Sequence, residues 1–467
     1  MLVGFILVYL AASVAVGLYA ATRVRGAADY AVAGRRFGSP IVAATVFATW
    51  FGAETVLGIP ATFLQEGLRG LVADPFAAVA CLVLVGAVFA RAMFGLDMLT
   101  LGDFFRARFD RRTEVAMSLV IAFSYIGWIA AQLVALGLAF SLLSGGAIDA
   151  RTGIVIGAAI VVAYTMAGGM WSVALTDFLQ AAVIIAGMAY VAWVVGDLAG
   201  GPGRVIEAAS ASGRLALLPE PDARSVLAWV NAGLIVMLGS VPQQDVFQRV
   251  RSARTAAIAM RASIAGGIVY FLVALVPVFL VSAAVLIDAP MVERLLAADS
   301  QRILPTLILE RTPLAVQVLF FGALISAILS TAGGALLAPA VTLAENVIRP
   351  LLPAMDDRGV LRTMRLTVLG VAAAVLTMAL TSKLSIYQLV NESGKVVLVA
   401  AFVPLAAGLF WKRASTFGAY LSIGAGLAVW IAMELAAPKA LVPPPLAGLL
   451  ASLAGMLAGS LATKRPG

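Results

Sequence analysis

The side chains of this 467-residue chain best suited to chemistry are polar groups stranded in apolar sequence. Ser330 and Thr331 follow Ala327 by three and four positions in the run Ser326-Ala327-Ile328-Leu329-Ser330-Thr331-Ala332. On a helix that spacing puts all three on one face. A backbone carbonyl and two hydroxyls are hard oxygen donors, of the kind that hold hard cations. The alternative is that each hydroxyl bonds the carbonyl four residues back in its own helix. Glu54 follows Trp50 by one helical turn inside an otherwise apolar segment. A carboxylate there either meets a cation or stays protonated and satisfied by hydrogen bonds. Lys395 follows Glu392 by three positions, so it either pairs internally or anchors a ligand carboxylate. Asp74 reads as a charge at a helix end. The sequence has no histidine, which excludes imidazole catalysis and His-ligated metals. Its one cysteine, Cys81, excludes a disulfide framework. No nucleophile is assembled with a base, so an enzyme is not expected.

The elements that position these groups follow from composition. The chain is 62% hydrophobic and 12% charged, with mean hydropathy +1.03. Soluble domains carry roughly 25% charged residues and about 45–50% apolar ones. The excess needs an apolar solvent, so a polytopic, all-α membrane protein is expected. Spans of about 20 apolar residues fall near 2–20, 39–63, 71–93, 114–142, 152–168, 172–196, 226–247, 263–288, 314–345, 365–382, 386–410, 417–436 and 442–461, thirteen in all. They are numbered 1 to 13 below. The first has no charge before Arg23 and basic residues after it, which argues for a retained span over a signal peptide. No hydrophilic block of about 100 residues, the size of a soluble module, is present, so no nucleic-acid-binding or kinase domain is expected. The chain reads as one transmembrane domain, with an extra span and loop at 1–38, a core at 39–410 and two further spans at 411–467.

The net charge of +8 is carried unevenly between the connections. Alternate connections hold 21 of the 32 Lys and Arg, including Arg249, Arg251 and Lys464-Arg465; the others hold 10, and Lys395 is left inside a span. Cytoplasmic loops are the basic ones. That places the N-terminus outside and the C-terminus in the cytoplasm, with the chain in the cell's inner (plasma) membrane.

Two spans are interrupted. Span 2 contains Gly52, Glu54, Gly58 and Pro60, and span 7 contains Gly239, Ser240, Pro242, Gln243, Gln244 and Asp245. Broken helix at membrane depth is tolerated only where protein or a cavity satisfies the freed backbone, so such breaks point to a site. The two spans lie five apart. Two five-helix repeats are expected, spans 2–6 and 7–11, each opening on a broken helix.

At this point the chain resembles a known family. Ala48-Thr49-Trp50-Phe51-Gly52 on span 2, Gly168-Gly169-Met170-Trp171 through Thr176-Asp177-Phe178 leading into span 6, Val241-Pro242-Gln243-Gln244-Asp245 through Arg249-Val250 ending span 7, and Ser326 through Ala332 on span 9 are similar to the sodium:solute symporter family. Around Phe247-Gln248-Arg249 the likeness is to its choline-transporter branch. The resemblance implies a leucine-transporter-type fold of inverted repeats. It implies a Na⁺ held by carbonyls of Ala48, Phe51 and Ala327 and hydroxyls of Ser330 and Thr331. Some relatives bind a second Na⁺ through an aspartate, matched here by Asp177, and further hydroxyls just after the Ser-Thr pair. Those positions are Gly333 and Gly334, so one Na⁺ per cycle is expected. For Lys395 a further alternative to the Glu392 pair is a stand-in charge for the missing ion near Asp177. In the choline branch tryptophans cage a quaternary ammonium; Trp50 and Trp128 match two of them, and the third position is Gln243. The expected solute site is Trp50, Glu54, Trp128 and Gln243. The expected function is Na⁺-coupled uptake of a small organic solute such as a choline-like amine. The alternatives are an amino acid or monocarboxylate as solute, or a solute sensor of the same fold.

Overall fold

The computed structural model of the protein describes residues 1–352 and 354–463. Lys464-Arg465, part of the charge pattern above, lie outside the described residues. Among the described residues nearly everything is helix and no strand forms; one isolated parallel bridge joins Phe37 to Ala253. This all-α result is what hydrocarbon demands, because a helix satisfies its own backbone groups. The first helices of both expected repeats are broken. The helix Ser39–Trp50 ends at Phe51, and Ala223–Gly239 meets Gln244–Ser252 at 45°.

Among the described residues ten helices are long and apolar enough to cross a membrane, or eleven when that bent pair counts as one span. Thirteen were expected, and the difference lies in how spans join. The segment Ala150–Leu198 has 49 residues. At about 1.5 Å per residue it is more than twice the roughly 30 Å of hydrocarbon. It is interrupted at Gly169, with φ 51° and ψ −135°, between expected spans 5 and 6. The segment Glu54–Gly95 has 42 residues and is interrupted at Asp74, close to the expected start of span 3. The first half of span 2, Ser39–Trp50, is too short to cross alone.

The helix Leu314–Leu343 is the axis of the bundle. From Phe320 to Thr342 it is buried on every side, packed chiefly against Ala150–Leu198 and Arg111–Leu143. It therefore puts Ala327, Ser330 and Thr331 as far from lipid as the fold allows. The last two spans, Thr416–Ala436 and Pro444–Ala462, pair with each other along a seam of small residues. Ser422 and Ser452 hydrogen-bond across it at 2.8 Å, and a Cβ on Gly459 would lie 2.7 Å from Gly418 Cα. Small residues let helix backbones approach where no hydrophobic drive brings them together.

The connections sort into two groups, as the charges suggested. Arg35 reaches Asp97 at 3.6 Å, and Arg108 Nε donates to Gly408 O at 3.0 Å. All of these belong to the Arg-rich group. In the other group Leu68 N donates to Arg214 O at 2.8 Å, and Arg224 to Lys439 O at 3.1 Å. One expectation fails. Arg249 and Arg251, counted as loop charges, are each 2% exposed. They lie on Gln244–Ser252, the second arm of broken span 7, which runs inside the bundle.

Gly169 offers a test of the division between spans 5 and 6. Its conformation is open to glycine alone, and a Cβ would sit 2.4 Å from the Tyr30 carbonyl oxygen. Gly169→Ala is expected to cost about 1–3 kcal/mol, read as a lower thermal midpoint in detergent. Gly370→Ala, where a Cβ meets nothing within 4 Å, serves as the control.

Candidate ion and solute site

The site grows from the break in span 2. Helix ends at Phe51, with φ −88° and ψ 81°, and resumes at Glu54. The reversal is tight: a Cβ on Gly52 would lie 2.5 Å from Glu54 Oε2. Backbone groups released there need partners, and two neighbouring spans supply them. Ala53 N–H donates to Gln132 Oε1 of span 4 at 2.9 Å. The Thr331 hydroxyl of span 9 donates to Thr49 O at 2.9 Å and approaches Ala48 O at 3.4 Å.

Thr331 thus brings a hydroxyl to the freed carbonyls, as the face shared by Ala327, Ser330 and Thr331 suggested. All five residues expected to hold Na⁺ are buried: Ala48, Phe51, Ala327, Ser330 and Thr331. Ser330 hydrogen-bonds elsewhere, donating to Asp177 Oδ1 at 2.6 Å, and the Thr45 hydroxyl donates to Asp177 Oδ2. Neutral oxygens converge here beside a buried carboxylate. That donor chemistry suits a hard monovalent cation. Among the described residues no group of three or more Cys, Asp or Glu gathers to hold a metal, so carbonyl and hydroxyl oxygens are what the region offers.

On the other side of the break lies a small cavity of about 60 Å³. Trp50, Glu54, Trp128 and Gln243 all line it, as expected from the sequence. Glu54 is held by two donors, Trp128 Nε1 at 3.1 Å and Gln132 Nε2 at 2.7 Å. Gln132 therefore holds both the broken backbone and the carboxylate. Asp74 also lines the cavity; it caps no helix there, and its Oδ1 accepts from the Tyr270 hydroxyl. Tyr270 in turn packs edge-on against Trp50 and Phe51, with both ring centroids 6.4 Å away. Tyr387 and Asn391 of span 11 complete the far wall. No Lys or Arg is among the described residues lining the cavity. Lys395 is turned aside, bound to Glu392 at 2.6 Å with Glu434 at 3.9 Å. It joins neither Asp177 nor the cavity wall. A larger cavity of about 940 Å³ is an apolar crevice beside the lipid-facing Leu119, Phe123 and Leu366, with little to orient a polar solute.

A chain of contacts joins the cavity to the ion region. Trp128 stacks on Tyr125 at 5.9 Å between centroids. The Tyr125 hydroxyl donates to Asp245 Oδ1 and accepts from Asp245 N–H at 2.9 Å. Arg249 donates to Asp245 O at 2.9 Å, with the two side chains 3.8 Å apart. Arg249 also donates to Thr45 O at 3.3 Å and to the Thr49 hydroxyl. The sequence reading missed Gln132, Tyr125, Asp245, Asp74, Tyr387 and Arg249 as site residues. Asp245 and Arg249 carried a signal, as charges beside the break in span 7, and so did Asp74, as a charge at the start of span 3.

These features define the class: a polytopic membrane carrier whose site lies between broken helices. The chain belongs to the sodium:solute symporter family, which matches residues 30–426. It is 28% identical over 430 residues to the high-affinity choline transporter 1 of Caenorhabditis elegans, covering 89% of this chain and 72% of that protein. It is 27% identical over 437 residues to the human high-affinity choline transporter 1, covering 88% and 73%. Its fold is similar to the substrate-bound outward-open structure of a Na⁺-coupled sialic acid symporter, with TM-score 0.85 and 19% identity over 99% of this chain and 98% of that one.

Gln132 makes the site testable without any ligand. Gln132→Leu leaves Ala53 N–H and Glu54 short of partners. A loss of about 1–3 kcal/mol per unsatisfied buried group is expected, seen as a lower thermal midpoint.

Proposed function

We propose that this protein is a Na⁺-coupled symporter that takes up a small organic cation of the choline-like class. The observation that carries this reading is the make-up of the cavity. Glu54 and Asp74 face it, Trp50, Trp128 and Tyr387 wall it, and no described lining residue is basic. A desolvated cation is attracted both to carboxylates and to aromatic faces. The names of the choline transporters it resembles support the same class. Gln243 stands where a third tryptophan would be expected, and Tyr387 supplies a third aromatic wall from span 11. A monocarboxylate finds no cation in this cavity, because Lys395 is paired with Glu392 and Glu434.

In this reading Na⁺ binds between span 2 and span 9, at the carbonyls of Ala48, Phe51 and Ala327 and the hydroxyls of Ser330 and Thr331. Asp177 supplies the nearby negative charge. An ion there links the broken helix to the axial helix and favours the conformations in which both are close. Alternation then exposes the cavity to each side in turn. The chain makes thirteen crossings when the two interrupted segments are each divided and the bent pair counts as one. Its core is 39–410, flanked by the span and loop at 1–38 and the pair at 411–467. The Arg-rich connections face the cytoplasm, with the N-terminus outside and the C-terminus inside. The protein does no covalent chemistry.

Proteoliposomes test this directly. Radiolabelled choline, betaine, proline and a monocarboxylate are offered under an inward Na⁺ gradient and under K⁺. Accumulation of the quaternary amine in Na⁺ alone is expected. Accumulation that is equal in K⁺ removes Na⁺ coupling, and saturable binding without accumulation favours a sensor. Trp128→Leu is expected to weaken amine binding by about 2 kcal/mol, roughly thirtyfold. Thr331→Val should raise the Na⁺ concentration needed for half-maximal uptake and leave the amine's affinity at saturating Na⁺ nearly unchanged.

A further inference from the structure

The apolar crevice of about 940 Å³ has no part in the transport scheme above. Leu119 and Phe123 of span 4, Leu366 and Gly370 of span 10 and Val396 of span 11 line it. Among the described lining residues its polar side chains are Thr363 and Thr367. Both hydroxyls are taken up within their own helix, by Gly359 O at 2.9 Å and Thr363 O at 2.8 Å. The walls therefore offer an occupant no free donor, and what fills the crevice is apolar. A Cβ on Gly370 would meet nothing within 4 Å, so the floor of the crevice is open.

One end of the crevice is basic. Ile348 lines it and precedes Arg349, Thr363 follows Arg362, and Leu119 follows Arg112 by two helical turns. These arginines belong to the Arg-rich connections. Arg111 and Arg349 are engaged by Glu114 and Glu345. Arg112 and Arg362 are exposed and form no ion pair among the described residues. The carboxylates at this end face backbone instead. Asp110 accepts from Thr113 N–H and Asp356 from Gly359 N–H, both at 2.8 Å, and Asp357 accepts from Ala27 N–H at 3.3 Å. Phe123 lies eleven residues beyond Arg112, about 16 Å along the helix. That is about half of the roughly 30 Å of hydrocarbon. The crevice is thus one leaflet deep, with unpaired cations at the level of the headgroups.

We propose that this crevice seats one anionic phospholipid of the leaflet that borders the Arg-rich connections. One acyl chain lies between spans 4, 10 and 11, and Arg112 and Arg362 hold the phosphate. Charge complementarity selects the headgroup, since guanidinium groups pair strongly with phosphate and basic pockets between spans hold anionic headgroups. A zwitterionic headgroup brings a cation of its own to the same place. The seat backs onto the solute cavity: Val396 is one turn past Ser393, which lines that cavity, and Ile126 is two residues before Trp128. A seated chain packs behind the wall that spans 4 and 11 present to the solute. Occupancy of this seat is independent of Na⁺ coupling.

The test uses the purified full chain, stripped of lipid in a neutral detergent without Na⁺. Phosphatidylglycerol, phosphatidylcholine with the same acyl chains and inorganic phosphate are added separately. The thermal midpoint and the lipid retained per chain, by native mass spectrometry, are read for each. Phosphatidylglycerol should raise the midpoint by mass action and stay bound at about one per chain; the other two should do neither. An equal effect of phosphatidylcholine overturns the proposal, as does an equal effect of phosphate alone or the retention of no lipid. Arg112→Gln combined with Arg362→Gln should weaken phosphatidylglycerol binding about thirtyfold. Gly370→Phe fills the floor, leaves the charges in place and should weaken it about tenfold. Parent-like binding by either folded variant overturns the seat. If Gly370→Phe instead turns a dimer into a monomer, a second copy of the chain is the occupant and the lipid is ruled out. Should Gly370→Phe not fold, the arginine pair decides.

Discussion

The break at Phe51-Gly52-Ala53 is the constraint from which the rest of the site follows. In hydrocarbon an unsatisfied backbone group costs several kcal/mol, so the broken helix can exist only with partners built around it. Span 4 provides Gln132 for Ala53 N–H, and span 9 provides Thr331 for the carbonyls of Ala48 and Thr49. These two clamps fix where spans 4 and 9 must stand. The cavity then forms on the span 4 side, and a cluster of oxygens forms on the span 9 side. The groups that make the break tolerable are the groups that make the site.

This geometry gives a physical route between ion and solute. Glu54 is held by the same Gln132 that holds the backbone, so a shift at the break moves the cavity's carboxylate. The second route runs through Trp128, Tyr125, Asp245 and Arg249 to Thr49 and Thr45. It joins spans 4, 7 and 2. Coupling needs each ligand to favour the same conformation. An ion that draws Ala48 toward Thr331 also sets the position of Trp50 and Glu54, which lie on the same short segment.

Much of this was legible in the sequence, for stated reasons. Hydropathy carried the all-α membrane fold, since only runs of about 20 apolar residues cross a bilayer. Glycine and proline marked both breaks, and local spacing put Ala327, Ser330 and Thr331 on one face. Trp50, Glu54, Trp128 and Gln243 do meet in one cavity. What spacing could not show is which distant group a buried polar residue meets. Gln132 is 78 positions from Glu54, and Arg249 is 200 from Thr49. A glutamine in an apolar helix has no periodicity to betray its role. Arg249 was assigned to a loop because it sits near a span's end, yet the bend at 240–243 turns that end inward. Asp74 reads in the sequence as a charge at a helix end for the same reason, yet it lines the cavity. The thirteen spans were counted as separate helices, and two of their boundaries are interruptions within longer helical segments.

The two halves of the site meet one electrostatic problem in opposite ways. Buried carboxylates in a membrane interior must be balanced. Around Asp245 the protein supplies part of the balance itself, through Arg249. Around Glu54 and Asp74 it supplies only neutral donors: the Trp128 indole, the Gln132 amide and the Tyr270 hydroxyl. Those donors hold the carboxyl groups in place and bring no positive charge. A cation entering there would meet two carboxyl groups, and an anion would find no Lys or Arg among the described lining residues. The selectivity proposed for this cavity therefore rests less on shape than on where the chain has placed its buried arginine, and on the place where it has put none.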